Sequence, residues 1–129
     1  MANVILGSVG QGGANNASDV RVTQRLLNDS LAREKQMLLK VDGIVGPKTI
    51  SAISNFQKKN GSIVDGRVDP MGPTILKLFQ QHLVGLMGNL YIGRFGINFD
   101  KGALTPASFS DPTIALLIQQ YADALRKDA

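Results

Sequence analysis

The chain has 129 residues, 43% of them hydrophobic, which suits one folded domain but not two full cores. It contains no cysteine, which excludes disulfide bridges, thiolate zinc sites and a cysteine nucleophile. The net charge of +4 comes from basic residues scattered along the chain, and no apolar run is long enough to span a membrane. We therefore expect neither a nucleic-acid partner nor a membrane partner.

The first 18 residues are predicted to form an extended, glycine-rich segment. The stretch "VILGSVGQGGANN" does not fit a P-loop, because Gly12 is followed by Gly13 and Ala14 rather than by Lys and Ser or Thr. It does not fit the dinucleotide fingerprint either. The start of the chain also lacks the basic residues and the apolar run of a secretory signal. We expect a protein made in the cytoplasm without a signal peptide.

A helix is predicted after this segment. Ser18 or Asp19 is the expected cap, because either side chain can accept hydrogen bonds from the first amides of a helix. Helical spacing places four apolar residues on one face: Val20, Leu26, Leu27 and Leu31. This helix therefore has an apolar face to bury.

Two similar Val-Asp-Gly turns follow, and each is predicted to lead into a helix. They read "VDGIVGPKT" from 41 to 49 and "VDGRVDPMGPT" from 64 to 74. Pro47 and Pro73 then occupy first helical turns, where proline loses no hydrogen bond. Each helix carries an apolar stripe and a Phe-Gln pair, and Asn60-Gly61 is a stop signal after the first of them. The two units form an internal repeat, and neither helix can bury its apolar face alone.

The segment from 85 to 111 has a different pattern, which predicts a short strand or hairpin. Four of its apolar residues alternate with other residues between glycines: Tyr91, Phe95, Ile97 and Phe99. A last amphipathic helix is predicted from Pro112, with Asp111 as its cap. We expect residues 1–18 as the N-terminal segment, 19–86 as a helical core, and 87–129 as an extension whose final helix packs on the core.

The helix and the two turns resemble the small peptidoglycan-binding domain of bacterial and phage cell-wall proteins. The signature of that family is Asp-Gly-x-x-Gly-x-x-Thr, then Ala and Phe-Gln, after a helix that carries Gln and Leu. The matching residues are Asp42, Gly43, Gly46, Thr49, Ala52, Phe56 and Gln57, preceded by Gln24, Leu26 and Leu27. The resemblance covers residues 19 to about 84, and the second turn departs from it at Asp69 and at the extra Met71-Gly72.

The resemblance implies a mainly α fold: a three-helix peptidoglycan-binding-like bundle with an internal repeat. A short extended segment and an extra C-terminal helix would complete it. The functional interpretation of these residues is a shallow groove, bordered by the two turns and the face of the first helix, that binds the peptide stems or the sugars of peptidoglycan. Arg67 would pair there with a stem-peptide carboxylate through its planar side chain. The candidate ligand-binding residues are Gln24, Asp42, Gly43, Gly46, Thr49, Gln57, Asp65, Arg67 and Asp69.

The same residues also have an architectural explanation. An Asp side chain can bind the amides of its own turn, and Gly supplies a backbone conformation that other residues resist. Thr49 and Thr74 stand near helix starts, where a hydroxyl can bind local backbone groups.

We expect no catalytic residue, no metal site and no cofactor. His82 is the only histidine, whereas a zinc site needs several His or acidic ligands. Glu34 is the only glutamate, and glycosidases often need a second carboxylate beside theirs. We expect a structural role for His82, packed or half-buried. A small hydrolase with an unfamiliar site at Glu34 or His82 is the third of the hypotheses, behind the two that follow.

The leading hypothesis is a non-catalytic module that binds peptidoglycan and targets an associated partner to the cell wall. We expect delivery by a phage-type or contact-dependent route, and action in the periplasm or at the wall. The alternative is a protein-interaction adaptor of a phage or secretion system that keeps the fold without binding the wall. Residues 85–129 would then contact the protein partner.

Overall fold

The computed structural model describes residues 4–94 and 112–127. The described chain is mainly helical, as predicted, and is a helical bundle with one small sheet. Its elements are β1 (Val9–Gly10), α1 (Ala17–Arg33), α2 (Pro47–Lys59), β2 (Arg67–Val68), α3 (Pro73–Arg94) and α4 (Pro112–Lys127).

The core lies between the apolar faces of α1, α2 and α3. The predicted stripe of α1 is buried at three of its four positions, and Leu31 packs partly buried against the core. The buried core residues of the three helices include Val20, Leu26, Leu27, Ile53, Phe56, Ile75, Leu78, Phe79 and Leu83. Each side chain of this size contributes about 2 kcal/mol when fully buried, so the helical stripes predict where most of the packing energy lies.

The start of α1 differs from the prediction. The helix begins at Ala17 with Asn16 as its N-cap residue, so Ser18 and Asp19 lie inside its first turn. The prediction that one of them caps the helix is therefore wrong. The carboxylate of Asp19 instead accepts the backbone amides of Leu6 and Gly7, at 3.0 and 2.9 Å. It ties the N-terminal segment to α1.

The N-terminal segment is joined to the second Val-Asp-Gly turn by a two-stranded sheet. β1 and β2 are antiparallel, with Val9 opposite Val68 and Gly10 opposite Arg67. Ile5 and Val9 are fully buried, so this segment is part of the core and not an appendage.

α3 is longer than predicted. It continues to Arg94, so the predicted strand or hairpin is wrong for residues 85–94, which include Tyr91. The glycines in this stretch are isolated, and an isolated glycine weakens a helix by about 1 kcal/mol without ending it. The other residues of that prediction, 95–111 with Phe95, Ile97 and Phe99, lie outside the described residues. Asp111, the predicted cap of the last helix, lies outside them too. No helix in the described ranges is long and apolar enough to cross a membrane.

The C-terminal helix α4 packs on α1 and on the N-terminal segment. Ala122 and Leu125 are buried. Nη2 of Arg126 donates to the carbonyl of Val4 and to Oδ1 of Asp19, both at 3.0 Å. Asp19 is almost fully buried in the first turn of α1. This ion pair therefore attaches α4 to the start of α1.

Candidate functional site

The first Val-Asp-Gly turn is held by one buried glutamine. We call Gln24, Asp42, Gly43, Ile44 and Thr49 the first glutamine cluster. Nε2 of Gln24 donates to Oδ1 of Asp42 and to the carbonyl of Ile44, both at 3.1 Å. The same nitrogen is 3.3 Å from Oγ1 of Thr49. Oε1 of Gln24 accepts the backbone amides of Asp42 and Gly43, each at 3.1 Å.

The second turn repeats this arrangement bond for bond. We call Gln57, Asp65, Gly66, Arg67 and Thr74 the second glutamine cluster. Nε2 of Gln57 donates to Oδ1 of Asp65 and to the carbonyl of Arg67, both at 2.9 Å. It also donates to Oγ1 of Thr74 at 3.1 Å. Oε1 accepts the amides of Asp65 and Gly66, at 3.1 and 3.0 Å. The internal repeat is therefore one structural unit that occurs twice. In each unit, a glutamine on one helix forms hydrogen bonds with the turn that precedes the next helix.

The glycine of each turn is required by the backbone. Gly43 has φ +75° and Gly66 has φ +69°, a region that other residues adopt at a cost. A Cβ on Gly43 would also lie 3.2 Å from the carbonyl oxygen of Ala17, so the turn sits directly against the first turn of α1. This contact places the turn beside the helix that carries Gln24.

Hydrogen bonds hold the pKa of both turn aspartates below its usual value. For Asp42 the main cause is the backbone amide of Ile44, which donates to Oδ1 at 3.0 Å, followed by the side chain of Gln24. For Asp65 the side chain of Gln57 lowers the pKa most, and the amide of Arg67 adds to it. At each turn, the backbone amide and the glutamine side chain favour the charged form of the aspartate carboxyl.

In the Asp42→Asn variant, the free energy of unfolding should therefore change less with pH in the acid range than it does in wild type. A lowered native-state pKa means that the carboxylate stabilises the fold above the unfolded value of about 3.9, and that this is lost as pH falls through the native value. We expect wild type to be more stable than Asp42→Asn at about pH 6 and the difference to shrink below about pH 4. Urea unfolding followed by circular dichroism across this range measures it. A difference that does not change with pH would contradict this assignment.

A groove opens beside the first glutamine cluster. We call it the first-turn groove; it consists of two adjoining depressions of about 500 and 290 Å³ that share Leu38, Leu39, Pro47 and Lys48. Gln24, Asp42 and Thr49 line the larger depression from the side of the cluster. Its volume is typical of small-ligand sites.

The walls of the first-turn groove are unusually apolar for exposed surface. Leu38 and Ile44 are 53% and 68% exposed, and Met37, which lines the smaller depression, is 85% exposed. Lys40 and Lys48 also line the groove and are exposed. Exposed aliphatic side chains combined with free polar groups are characteristic of binding surfaces.

Asn28 fixes the wall of the groove from α1. Its Nδ2 donates to the carbonyl of Leu39 at 3.0 Å, and its Oδ1 accepts the amide of Leu39 at 2.7 Å. Asn28 lies one helical turn after Gln24, so one face of α1 holds the loop at two points.

The candidate residues predicted from the sequence fall into two groups in the structure. Gln24, Asp42, Gly46 and Thr49 line the first-turn groove, and Gly43 is buried in its turn. The other four predicted residues lie at the second turn: Gln57, Asp65, Arg67 and Asp69. Their roles in ligand binding stay predictions. The structure assigns Gln24 and Gln57 a further role in holding the turns, because both are 1% exposed and bonded within their clusters.

Six residues of the larger depression were missed in the sequence: Leu38, Leu39, Lys40, Ile44, Pro47 and Lys48. Leu38 and Ile44 gave one signal, since they are apolar residues that belong to no helical stripe. Nothing in the spacing of Lys40 and Lys48 showed that they would face one groove.

The two residues of the hydrolase hypothesis each contact another side chain. Nδ1 of His82 is 2.6 Å from Oδ2 of Asp29, and its ring stacks on Phe79 with the centroids 6.3 Å apart. Its side chain is largely buried, as a packed structural histidine should be. Glu34 pairs with Lys59. In the parts of the chain that the structure describes, no three His, Asp or Glu side chains are grouped so that they could hold a metal ion.

Comparison with known proteins gives a match to a family model alone. No curated protein and no solved structure matches the chain. Residues 16–71 match the model of the family described as "Putative peptidoglycan binding domain". The matched segment contains both glutamine clusters except Thr74, and every residue that lines the first-turn groove.

Proposed function

We propose that this chain binds peptidoglycan through the first-turn groove. The observation that carries the proposal is the overlap of two independent results: the groove lies wholly within residues 16–71, which match a peptidoglycan-binding family. The groove also has the properties of a binding site, since Leu38 and Ile44 expose apolar surface there while Gln24 and Asn28 fix its shape. A preformed groove reduces the ordering that binding requires.

The first turn suits this role better than the second. The α1–α2 loop is longer than the α2–α3 loop before its Asp-Gly turn, and the extra residues supply the wall with Leu38 and Leu39. The position of the exposed Ile44 is taken in the second turn by Arg67, whose Nε is 2.9 Å from Oδ1 of Asp69. The repeat thus provides two similar turns, of which the first offers an apolar wall.

We propose further that the module is non-catalytic and targets a partner to the wall. Binding to an insoluble polymer raises the local concentration of any attached or associated protein there. Glu34 is already paired with Lys59, so its carboxylate would have to leave that contact to take another role. Action in the periplasm or at the cell wall, after delivery by a non-classical route, belongs to this proposal.

Two exposed isoleucines allow a matched test of the groove. Ile44 is 68% exposed in the groove, and Ile63 is 83% exposed on the loop after α2. We expect wild type to co-sediment with purified sacculi, Ile44→Asp to be retained at least about 10-fold less, and Ile63→Asp to behave like wild type. Both side chains are exposed, so both variants should fold. The assay is run at low and high salt, because attraction from net charge alone disappears at high salt.

Wild type that stays in the supernatant, or equal loss in the two variants, would overturn the proposal. The first result would direct attention to the adaptor hypothesis and to a protein partner.

A further inference from the structure

The first-turn groove carries an excess of positive charge. Its charged lining residues are Lys40, Lys48 and Asp42. The carboxylate of Asp42 is engaged within its own turn, because Oδ1 accepts the amide of Ile44 and the side chain of Gln24. Within the described residues, neither lysine of the groove takes part in an ion pair. The charge of Lys40 also helps to lower the pKa of Asp42, so the two lysines and Asp42 together leave a net positive charge in the groove for an anionic ligand.

The rest of the lining favours small alkyl groups over sugar rings. The walls are formed by Leu38, Leu39, Ile44 and Pro47, and none of the lining residues, all of which are described, is aromatic. Sugar recognition commonly uses a flat aromatic face, which offers a large rigid apolar surface. Peptidoglycan contains two chemically distinct parts: uncharged glycan strands, and short peptide stems that carry methyl groups and carboxylates.

We propose that Lys40 and Lys48 make the first-turn groove specific for the carboxylate-bearing peptide stem of peptidoglycan, with the aliphatic walls receiving its methyl groups. This inference rests on the function proposed above and adds the element that is recognised. Lysine suits the task because its ammonium group is a mobile point charge that can follow a flexible carboxylate.

This assignment moves carboxylate recognition from the second turn to the first. The sequence suggested Arg67 as the carboxylate partner, but the charge of Arg67 is already met by Asp69. Arg67→Gln therefore provides an internal comparison: the inference predicts that it changes binding to the stem little, whereas Lys48→Gln weakens it.

The test measures binding of the full chain to three soluble or insoluble probes. These are intact sacculi, synthetic stem peptide with free or amidated carboxyl groups, and N-acetylglucosamine oligomers, which have no carboxyl group and serve as bare glycan. We expect wild type to bind sacculi and the free stem peptide, and to bind the amidated peptide and the bare glycan at least about 5-fold more weakly. Isothermal titration calorimetry measures the soluble probes, and co-sedimentation measures sacculi.

Charge-matched variants separate the groove from net charge. Lys48→Gln should weaken binding to the free stem peptide about 3-fold, and the Lys40→Gln/Lys48→Gln double variant about 10-fold. The control is Lys35→Gln/Lys58→Gln, which removes two lysines and so has the same net charge as the Lys40→Gln/Lys48→Gln variant. Lys58 is exposed on the same helix as Lys48, and Lys35 is exposed on the loop after α1. This control should bind like wild type, and circular dichroism checks that all variants fold.

The outcomes are distinct. Wild type that does not bind intact sacculi overturns the proposed function and this inference with it. Wild type that binds sacculi, but binds bare glycan or amidated peptide as well as free peptide, overturns the inference alone. Equal weakening in the Lys40/Lys48 and Lys35/Lys58 double variants also overturns it, because net charge then explains the effect.

Discussion

Replacing Gln24 by leucine is expected to lower the free energy of unfolding by about 3 kcal/mol. Leucine fills a similar volume, but it leaves the amides of Asp42 and Gly43 without the acceptor that Oε1 provides. Gly43 is buried, so water replaces that bond poorly. Gln57→Leu should have an effect of similar size, because the second glutamine cluster has the same bonds. Urea unfolding measures both.

The exposed Gln36 provides the control for these substitutions. Gln36→Leu makes the same chemical change on the surface, so it should alter stability by less than about 0.5 kcal/mol. Hydrogen exchange adds a local readout. Gln24→Leu should speed exchange most at Asp42 and Gly43, whereas Gln57→Leu should do so at Asp65 and Gly66. Equal stability of Gln24→Leu and Gln36→Leu would show that the cluster does not hold the turn.

Replacing Gly10 by alanine is expected to destabilise the fold by about 3 kcal/mol or more. Gly10 has φ +114°, and a Cβ there would lie 2.2 Å from the carbonyl oxygen of Gly66. That oxygen also accepts the amide of Gln11 at 2.9 Å, and the amide of Gly66 is bound by Gln57. The added methyl group would therefore push apart the small sheet and the second glutamine cluster together.

Gly12 is the matched control for Gly10. It also has a positive φ, +68°, but a Cβ there has no neighbour within 4 Å. Gly12→Ala should therefore show only the conformational effect of about 1 kcal/mol. Thermal and urea unfolding of the two variants compare them directly. Similar losses in both would mean that backbone strain, and not the contact with Gly66, limits position 10.

The helices of the core were predictable because their signal extends over many residues. The stripe with Val20 and Leu27 and the one with Ile53 and Phe56 repeat at helical spacing over several turns. Proline at positions 47 and 73 marked the starts of α2 and α3 correctly. The cap of α1 was not predictable in the same way, since Asp19 binds amides of residues 6 and 7 that are distant along the chain.

The contacts that build the candidate site were beyond the reach of sequence patterns. Strands of two residues have no period to detect, so the pairing of Val9 with Val68 left no trace. The glutamine clusters join residues such as Gln24 and Asp42 across a loop. The repeated Asp-Gly turns did show that two similar units exist, and the resemblance they carry included Gln24. The hydrogen bonds of Gln24 to its turn are seen only in the structure.

The most direct test of the central claim follows the backbone amides of the wild-type chain by NMR as soluble peptidoglycan fragments are added. The account predicts saturable shifts that are largest between Leu38 and Thr49 and small at the second turn, between Val64 and Thr74. Shifts centred on the second turn would contradict binding at the first-turn groove. The absence of any shift, with fragments that remain soluble at millimolar concentration, would contradict it as well.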